Sequence, residues 1–169
     1  MSQKGNTLRG FFGIGIWNAQ HEVNIGTLFR SAYAFGASFV FTVGRKYRRQ
    51  ASDTTSTTIH VPYYQYLNIE EMLVRRPNGT QVVCVECNIK YASRPLPQFC
   101  HPLRAMYLLG SEGNSLPDRV LEKNQIVTIP SSVCLNVATA GSIIIYDRIA
   151  KAANNAVGKF TLSRPLQSS

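Results

Sequence analysis

Three separated segments hold residues whose types and spacing could do chemistry. The first, Asn24-Ile25-Gly26-Thr27-Leu28-Phe29-Arg30, carries an amide and, six residues on, a guanidinium. On a helix entered near Val23 the two stand about 600° apart, or 240° net, so they share no tight face. Asn24 lies at the helix entry, where it caps the backbone or offers its amide to a reacting centre; Arg30 is a solvated charge or a catalytic cation. Gly26 in the first turn costs about 1 kcal/mol against Ala, so the position asks for close approach of a backbone or a ligand. The second segment, Leu109-Gly110-Ser111-Glu112-Gly113, breaks an apolar strand at its C-terminal end. Gly110 and Gly113 permit φ > 0 and let a ligand touch the main chain. Glu112 reads equally as a partner for a helix dipole or as a fixed carboxylate that orients other groups. The third runs from Ile129, Pro130 and Ser131 to Cys134, Leu135, Asn136, Val137 and Ala138. Leu135 offers an apolar wall, and Asn136 a donor and an acceptor together, or a plain helix cap.

The elements that must position these segments follow from periodicity. Phe11 to Trp17 is short, apolar and β-rich, and reads as a strand. After a polar loop from Asn18 to Glu22, the apolar residues Val23, Leu28, Ala32 and Phe35 recur at helical spacing, with Gly36 as the stop. Ser38–Val43 is a second strand, so strand, helix and strand imply a crossover and a parallel sheet. Arg45 to Gln50 and the Ser/Thr-rich stretch from Ala51 to Thr58 read as one long exposed loop. Val61–Tyr66 suggests a short strand, and Asn68 the N-cap of a helix through Leu73 with Glu70 and Glu71 in its first turn. Gln81–Cys87, Arg104–Leu109 and Gln125–Ile129 are further strands; Leu116–Leu121 is a short helix with Pro117 in its first turn. Val137–Ala153 reads as a long helix, buried first and wetter later. All three chemical segments therefore fall where a buried strand ends and a helix begins, the place where open α/β sheets bind ligands.

At 169 residues the chain fits one domain, and 44% apolar against 16% charged composition predicts folding over disorder. Residues 1–9 and 155–169 read as flexible tails. Lys and Arg outnumber Asp and Glu 18 to 9, a net charge of +9, which suits a polyanionic partner such as nucleic acid. Arg45, Lys46, Arg48 and Arg49, interleaved with Tyr47, are candidate phosphate contacts with one stacking ring. No apolar run approaches the ~20 residues of a membrane span, and Phe11–Trp17 is too short and Gly-broken for a secretory signal, so a cytoplasmic protein without a membrane partner is expected. Four cysteines include Cys84-Val85-Glu86-Cys87. Residues three apart on one strand face opposite sides, so no metal site is expected unless the strand ends by Glu86, and the cysteines are expected as free thiols.

In order, type and spacing the three segments resemble the motifs of the SpoU-type ribose 2′-O-methyltransferases of the SPOUT superfamily, over roughly residues 10 to 155. The resemblance implies an α/β fold, a mostly parallel sheet with helices on both faces and a C-terminal trefoil knot. It implies S-adenosyl-L-methionine as cofactor, bound bent in a pocket made by Leu109, Gly110, Ser111, Gly113, Ile129, Ser131, Cys134 and Leu135. Arg30, Asn24, Glu112 and Asn136 fall on the family's catalytic motif positions. RNA, either tRNA or rRNA, is the implied substrate, and a homodimer the implied assembly. The motif Arg is proposed in the family as a base, but a guanidinium does not give up its proton unaided, so Arg30 is better cast as a ligand of the phosphate beside the target ribose. The chain departs from the family at Cys134, where Ser is usual, and at Ser115, where Gly is usual. Its terminal extensions, used by many relatives to hold tRNA, are short, which leaves the RNA open. The rival reading is a non-catalytic RNA-binding protein on the same scaffold. A dinucleotide fingerprint at Gly13-Ile14-Gly15 lacks its third glycine and its acid.

Overall fold

The computed structural model describes residues 10–47, 57–87 and 90–155, with the backbone alone at 153–155. Arg48, Arg49, most of the Ser/Thr-rich stretch and both expected tails, save Asn155 at the end of α5, lie outside the described residues. In chain order the elements are β1 (Phe11–Trp17), α1 (Glu22–Ala34), β2 (Phe39–Val43), α2 (Thr57–His60), β3 (Tyr63–Tyr66), α3 (Ile69–Arg75), β4 (Gln81–Val85), β5 (Arg94–Pro95), a 3₁₀ turn (Leu96–Gln98), β6 (Arg104–Leu109), α4 (Asp118–Leu121), β7 (Gln125–Thr128) and α5 (Val137–Asn155). The strands form one seven-stranded sheet in the order β3-β2-β1-β6-β4-β7-β5. Every pairing is parallel, which is stricter than the mostly parallel sheet expected. The chain winds outward from β1 through β2 and β3, then continues on the far side with β4, leaving β6 to fill the gap. Such a reversal opens a crevice at the carboxyl ends of the strands.

Strands buried on both faces explain the near-continuous apolar runs. On one face Ile14, Ile16, Val83, Val85, Tyr107 and Leu109 pack under α1 and α5. On the other, Phe41, Val43, Cys84, Met106, Leu108 and Ile126 pack under α3 and α4. Gly141 lets α5 close on α1, because a Cβ there would overlap the Leu28 side chain. At the opposite end of the sheet from the crevice, polar groups lock α5 down. His101 shares hydrogen bonds with the Tyr107 hydroxyl (2.6 Å) and the Asp147 carboxylate (2.8 Å). Arg148 donates to the carbonyls of Pro102 (2.6 Å) and Leu103 (2.9 Å), and Lys151 to that of Phe99 (3.1 Å).

Several boundaries differ from those read in the sequence, each for a local reason. Asn68 does cap α3, its Oδ1 accepting from the Glu71 N–H at 2.9 Å. α1, by contrast, starts at Glu22 with His21 as N-cap, so Asn24 already sits inside the helix and its side chain is free for other work. Pro117 takes an extended ψ of 138° and precedes α4 instead of lying in its first turn. Thr57 and Thr58 belong to α2 and not to the long loop. β4 ends at Val85, two residues early. That overturns the expectation of four free thiols: Cys87 lies beyond the strand and is joined in a disulfide to Cys134, with Cα atoms 5.8 Å apart. Cys84 and Cys100 remain thiols. Burial, with the Glu86 charge adding to it, pushes the Cys84 thiol up to about 12, so it is chemically quiet.

Candidate active site

The carboxyl ends of β4, β6 and β7 enclose a small cleft, of about 80 Å³, that opens to solvent. Apolar walls come from Val85 and Leu109 at strand ends and from Ile129 and Leu135 in the segment leading to α5, with Val137 and Ala140 on the helix itself. Polar groups come from Glu86, Ser111, Asn114 and Ser131, with main chain at Gly110 and Cys87. Six of the eight residues expected to hold a cofactor line this cleft. Gly113 does not; its φ of 75° turns the loop that carries Glu112, a conformation glycine adopts without strain. Cys134 is instead bonded to the cleft residue Cys87.

The cleft combines apolar walls with polar groups. The Ser111 hydroxyl is buried without a hydrogen-bond partner among the described residues, and a buried unpaired hydroxyl marks a place where a ligand completes the bonding. Glu86 braces the same loop: its carboxylate accepts from the Leu116 N–H at 3.0 Å and from the Cys87 N–H at 2.9 Å. Consecutive residues thus tie β4 to both other walls, Glu86 to the loop after β6 and Cys87 to the segment before α5.

Beside the cleft, three of the four expected catalytic residues form one hydrogen-bonded chain. Asn136 lies between the cleft residues Leu135 and Val137, and its Nδ2 donates to Asn24 Oδ1 at 3.0 Å. Asn24 Nδ2 donates in turn to Glu112 Oε1. The other carboxylate oxygen of Glu112 accepts the Gln20 N–H at 3.1 Å. Asn136 also does the capping work read for it, because its Oδ1 accepts from the N–H groups of Ala138 (2.9 Å) and Thr139 (3.3 Å). Burial of Glu112 works to raise its pKa. Hydrogen bonds from Asn24, its own backbone and Gln20, with the His21 charge, outweigh that and hold it below the ordinary glutamate value. A charged Glu112 fixes which end of the Asn24 amide is the donor, and Asn24 then fixes Asn136.

Arg30 is not part of this chain. It is exposed on α1. Arg45 is exposed but occupied: its Nη1 donates to the Gln20 carbonyl at 2.6 Å and to the Ala19 carbonyl at 3.3 Å. Lys46 is exposed. Tyr47 corrects the expected stacking ring, since it is 7% exposed and packs edge-on against Phe29 and Tyr63. Glu86, Asn114 and Gln20 were missed from the sequence. Glu86 had a legible signal, a carboxylate immediately after a parallel strand; the other two act through loop geometry that only the fold creates.

Comparison with known proteins agrees with this geometry. The SpoU rRNA Methylase family matches residues 12–146. AviRb, the SpoU methyltransferase of Streptomyces viridochromogenes, is 22% identical with a TM-score of 0.73, over 86% of this chain and 61% of its own. A structure of the same enzyme holds AdoMet. The TrmH/SpoU tRNA modifying enzyme of A. aeolicus is 19% identical with a TM-score of 0.74, over 94% of this chain and 81% of its own. A structure concerned with 2-OH methylation of C/U34 on tRNA is 19% identical with a TM-score of 0.73, over 86% of this chain and 99% of its own. The chain thus spans about three fifths of the length of AviRb (61%) and nearly all of the last relative (99%). No match is found among curated protein sequences. By the extent of the family match, together with the parallel sheet and the cleft at its carboxyl ends, the chain belongs to the SpoU rRNA methylase family.

Proposed function

We propose that the chain is a single-domain, S-adenosylmethionine-dependent RNA methyltransferase that places a methyl group on a ribose 2′-hydroxyl of tRNA or rRNA in the cytoplasm. The observation that carries this reading is the cleft with its unpartnered Ser111 hydroxyl beside the Asn136–Asn24–Glu112 chain. When bound, S-adenosylmethionine supplies an electrophilic methyl carbon with its own good leaving group. The protein's task is then placement. Leu109, Ile129 and Leu135 would wall the adenine, with main chain at Gly110 and the Ser111 hydroxyl as polar partners. Asn24 and Asn136, ordered by Glu112, would set the approach of the ribose. Arg30, exposed on α1, would bind the adjoining phosphate, to which the hydroxyl proton would pass.

The net charge of +9 and exposed Lys46, with Arg48 and Arg49 in the same basic run, support RNA as partner. A homodimer is supported by exposed Val23 on α1 and Tyr146 on α5, 55% and 61% exposed on two helices that pack together. The trefoil knot of the family would come from threading the segment before α5 through the loop after β6. Among the described residues no helix is long and apolar enough to cross a membrane.

The test is calorimetric titration of S-adenosylmethionine and its demethylated product into the purified protein, followed by labelled-methyl transfer to unmodified tRNA and rRNA. Saturable binding at one site per chain, and a labelled nucleotide resistant to alkaline cleavage on its 3′ side, are expected. Binding of neither compound by a well-folded dimer would leave the non-catalytic RNA-binding protein as the reading.

A further inference from the structure

We infer that Arg45 is a positioning residue of this site, acting on Glu112 and Asn24 through the Ala19–Gln20 peptide and not through contact with RNA. The inference rests on the methyltransferase reading only for its consequence in catalysis; the brace itself stands on geometry.

At the end of β1, Asn18 adopts a φ of 48° and turns the chain sharply, its N–H bonded to the Val43 carbonyl at 2.7 Å. Asn is among the few residues that take this conformation readily. The chain then runs through Ala19 and Gln20 to enter α1. Arg45 stands two residues beyond β2 and reaches back to this segment. Its guanidinium holds the Gln20 carbonyl at 2.6 Å and the Ala19 carbonyl at 3.3 Å. The Ala19 carbonyl and the Gln20 N–H belong to one peptide unit, and that N–H donates to Glu112 Oε2 at 3.1 Å.

One peptide group therefore lies between a guanidinium on its oxygen and a carboxylate on its N–H. Opposite charges at the two ends polarise it in the same sense, so each hydrogen bond strengthens the other. A direct Arg–Glu ion pair would draw the carboxylate towards the cation. Here the peptide keeps them apart, and the second oxygen of Glu112 stays on Asn24. The segment is exposed at Gln20, where a hydrogen bond to water would otherwise compete. Two donations from one guanidinium to adjacent carbonyls fix its direction, which an ammonium on a flexible stem reproduces only in part.

The experiment compares Arg45→Ala and Arg45→Lys with the full-length wild type. The first readout needs no RNA: exchange of the Gln20 amide proton, followed by NMR. Its protection should fall about tenfold in Arg45→Ala and partly recover in Arg45→Lys, while affinity for S-adenosylhomocysteine stays within about twofold, because Arg45 does not line the cleft. Unchanged Gln20 protection in Arg45→Ala overturns the inference. The second readout is transfer to RNA, where kcat should drop about tenfold or more with KM for RNA unchanged. A raised KM with kcat intact, and a salt dependence of binding shallower by about one phosphate contact, would make Arg45 an RNA ligand and overturn it as well. Absence of methyl transfer by the wild type would count against the methyltransferase reading, while Gln20 exchange still decides the brace.

Discussion

Asn136 and Asn24, 112 residues apart in sequence, share a hydrogen bond of 3.0 Å beside the cleft. The amide of Asn136 is divided between two tasks: its nitrogen serves Asn24, and its oxygen caps α5. Asn136→Asp keeps an acceptor for the cap and removes the donor. Asp and Asn cap helices about equally well, so thermal stability should change by less than about 1 kcal/mol. Methyl transfer should fall about a hundredfold, because a carboxylate would face the Asn24 carbonyl oxygen and displace it. Asn136→Ala loses both functions and should cost a further ~1 kcal/mol in the melt. Denaturation and labelled transfer, measured on both variants, separate the two roles.

Ser111 gives the opposite pattern. Its hydroxyl has no partner among the described residues, so Ser111→Ala takes nothing from the empty protein and should leave stability within about 0.5 kcal/mol of wild type, or raise it slightly. Affinity for S-adenosylmethionine should drop about five- to tenfold, the worth of one net hydrogen bond. Equal affinity in a calorimetric titration would remove Ser111 from the cofactor's partners.

The Cys87–Cys134 disulfide closes a span of 47 residues. Chain entropy sets the loss on opening it at about 4 kcal/mol, an upper figure for Cys87→Ser or for reduction of the wild type. Since Cys87 lies on one side of the cleft and Leu135 follows Cys134 on the other, cofactor affinity should weaken with stability. Cys100→Ser, which alters an exposed free thiol, should change neither. Denaturant titrations with and without reductant check the first claim, and titration of S-adenosylmethionine into the reduced protein the second.

His101 should make stability decline as pH falls below about 6.5. Its side chain is 5% exposed, and burial lowers its pKa; Asp147 pulls upward, while Arg148 and Lys151 add to the lowering. The unfolded chain takes up this proton near pH 6.5, and the folded protein only below that. In the window between, the unfolded state binds more protons, so stability is full above about pH 6.5 and declines as pH falls through it. Glu112, held low, contributes its loss only at more acidic pH. Melting temperature should decrease from pH 7.5 to 5.5, and His101→Gln should flatten that slope. A wild-type melting temperature constant across the range would contradict the assignment.

The strands were legible because a parallel sheet covered on both faces demands unbroken apolar runs, and β6 was read to the residue. α2, β5 and the 3₁₀ turn were not: each is two to four residues long, and none carries the cluster of apolar or aromatic residues that gave β3 and β7 away. Asn68 revealed itself as a cap because its partner is three residues away. Asn24 did not declare its role locally: its partners come from residues 112 and 136, and only the family's motif order pointed to them. The thiol expectation failed over two residues of strand length, for had β4 continued through Cys87, that side chain would have been committed to a sheet face. Arg45 carried the charge of an RNA ligand, but its hydrogen bonds go to a turn whose place beside it depends on the pairing of β1 with β2.

The hydrogen-bonded trio also has an order in time. Asn24 and Glu112 are synthesised before Asn136, and α5 is the last described element to leave the ribosome. A nascent chain that has already made β1, α1 and β6 still lacks the cap residue, the Leu135 wall and the second cysteine of the cross-link. At ~5–20 residues per second, the interval from residue 112 to residue 136 lasts seconds, during which RNA can meet the basic chain but not a finished site. The complete trio is thereby reserved for chains whose translation has run past Asn136, the residue that closes it.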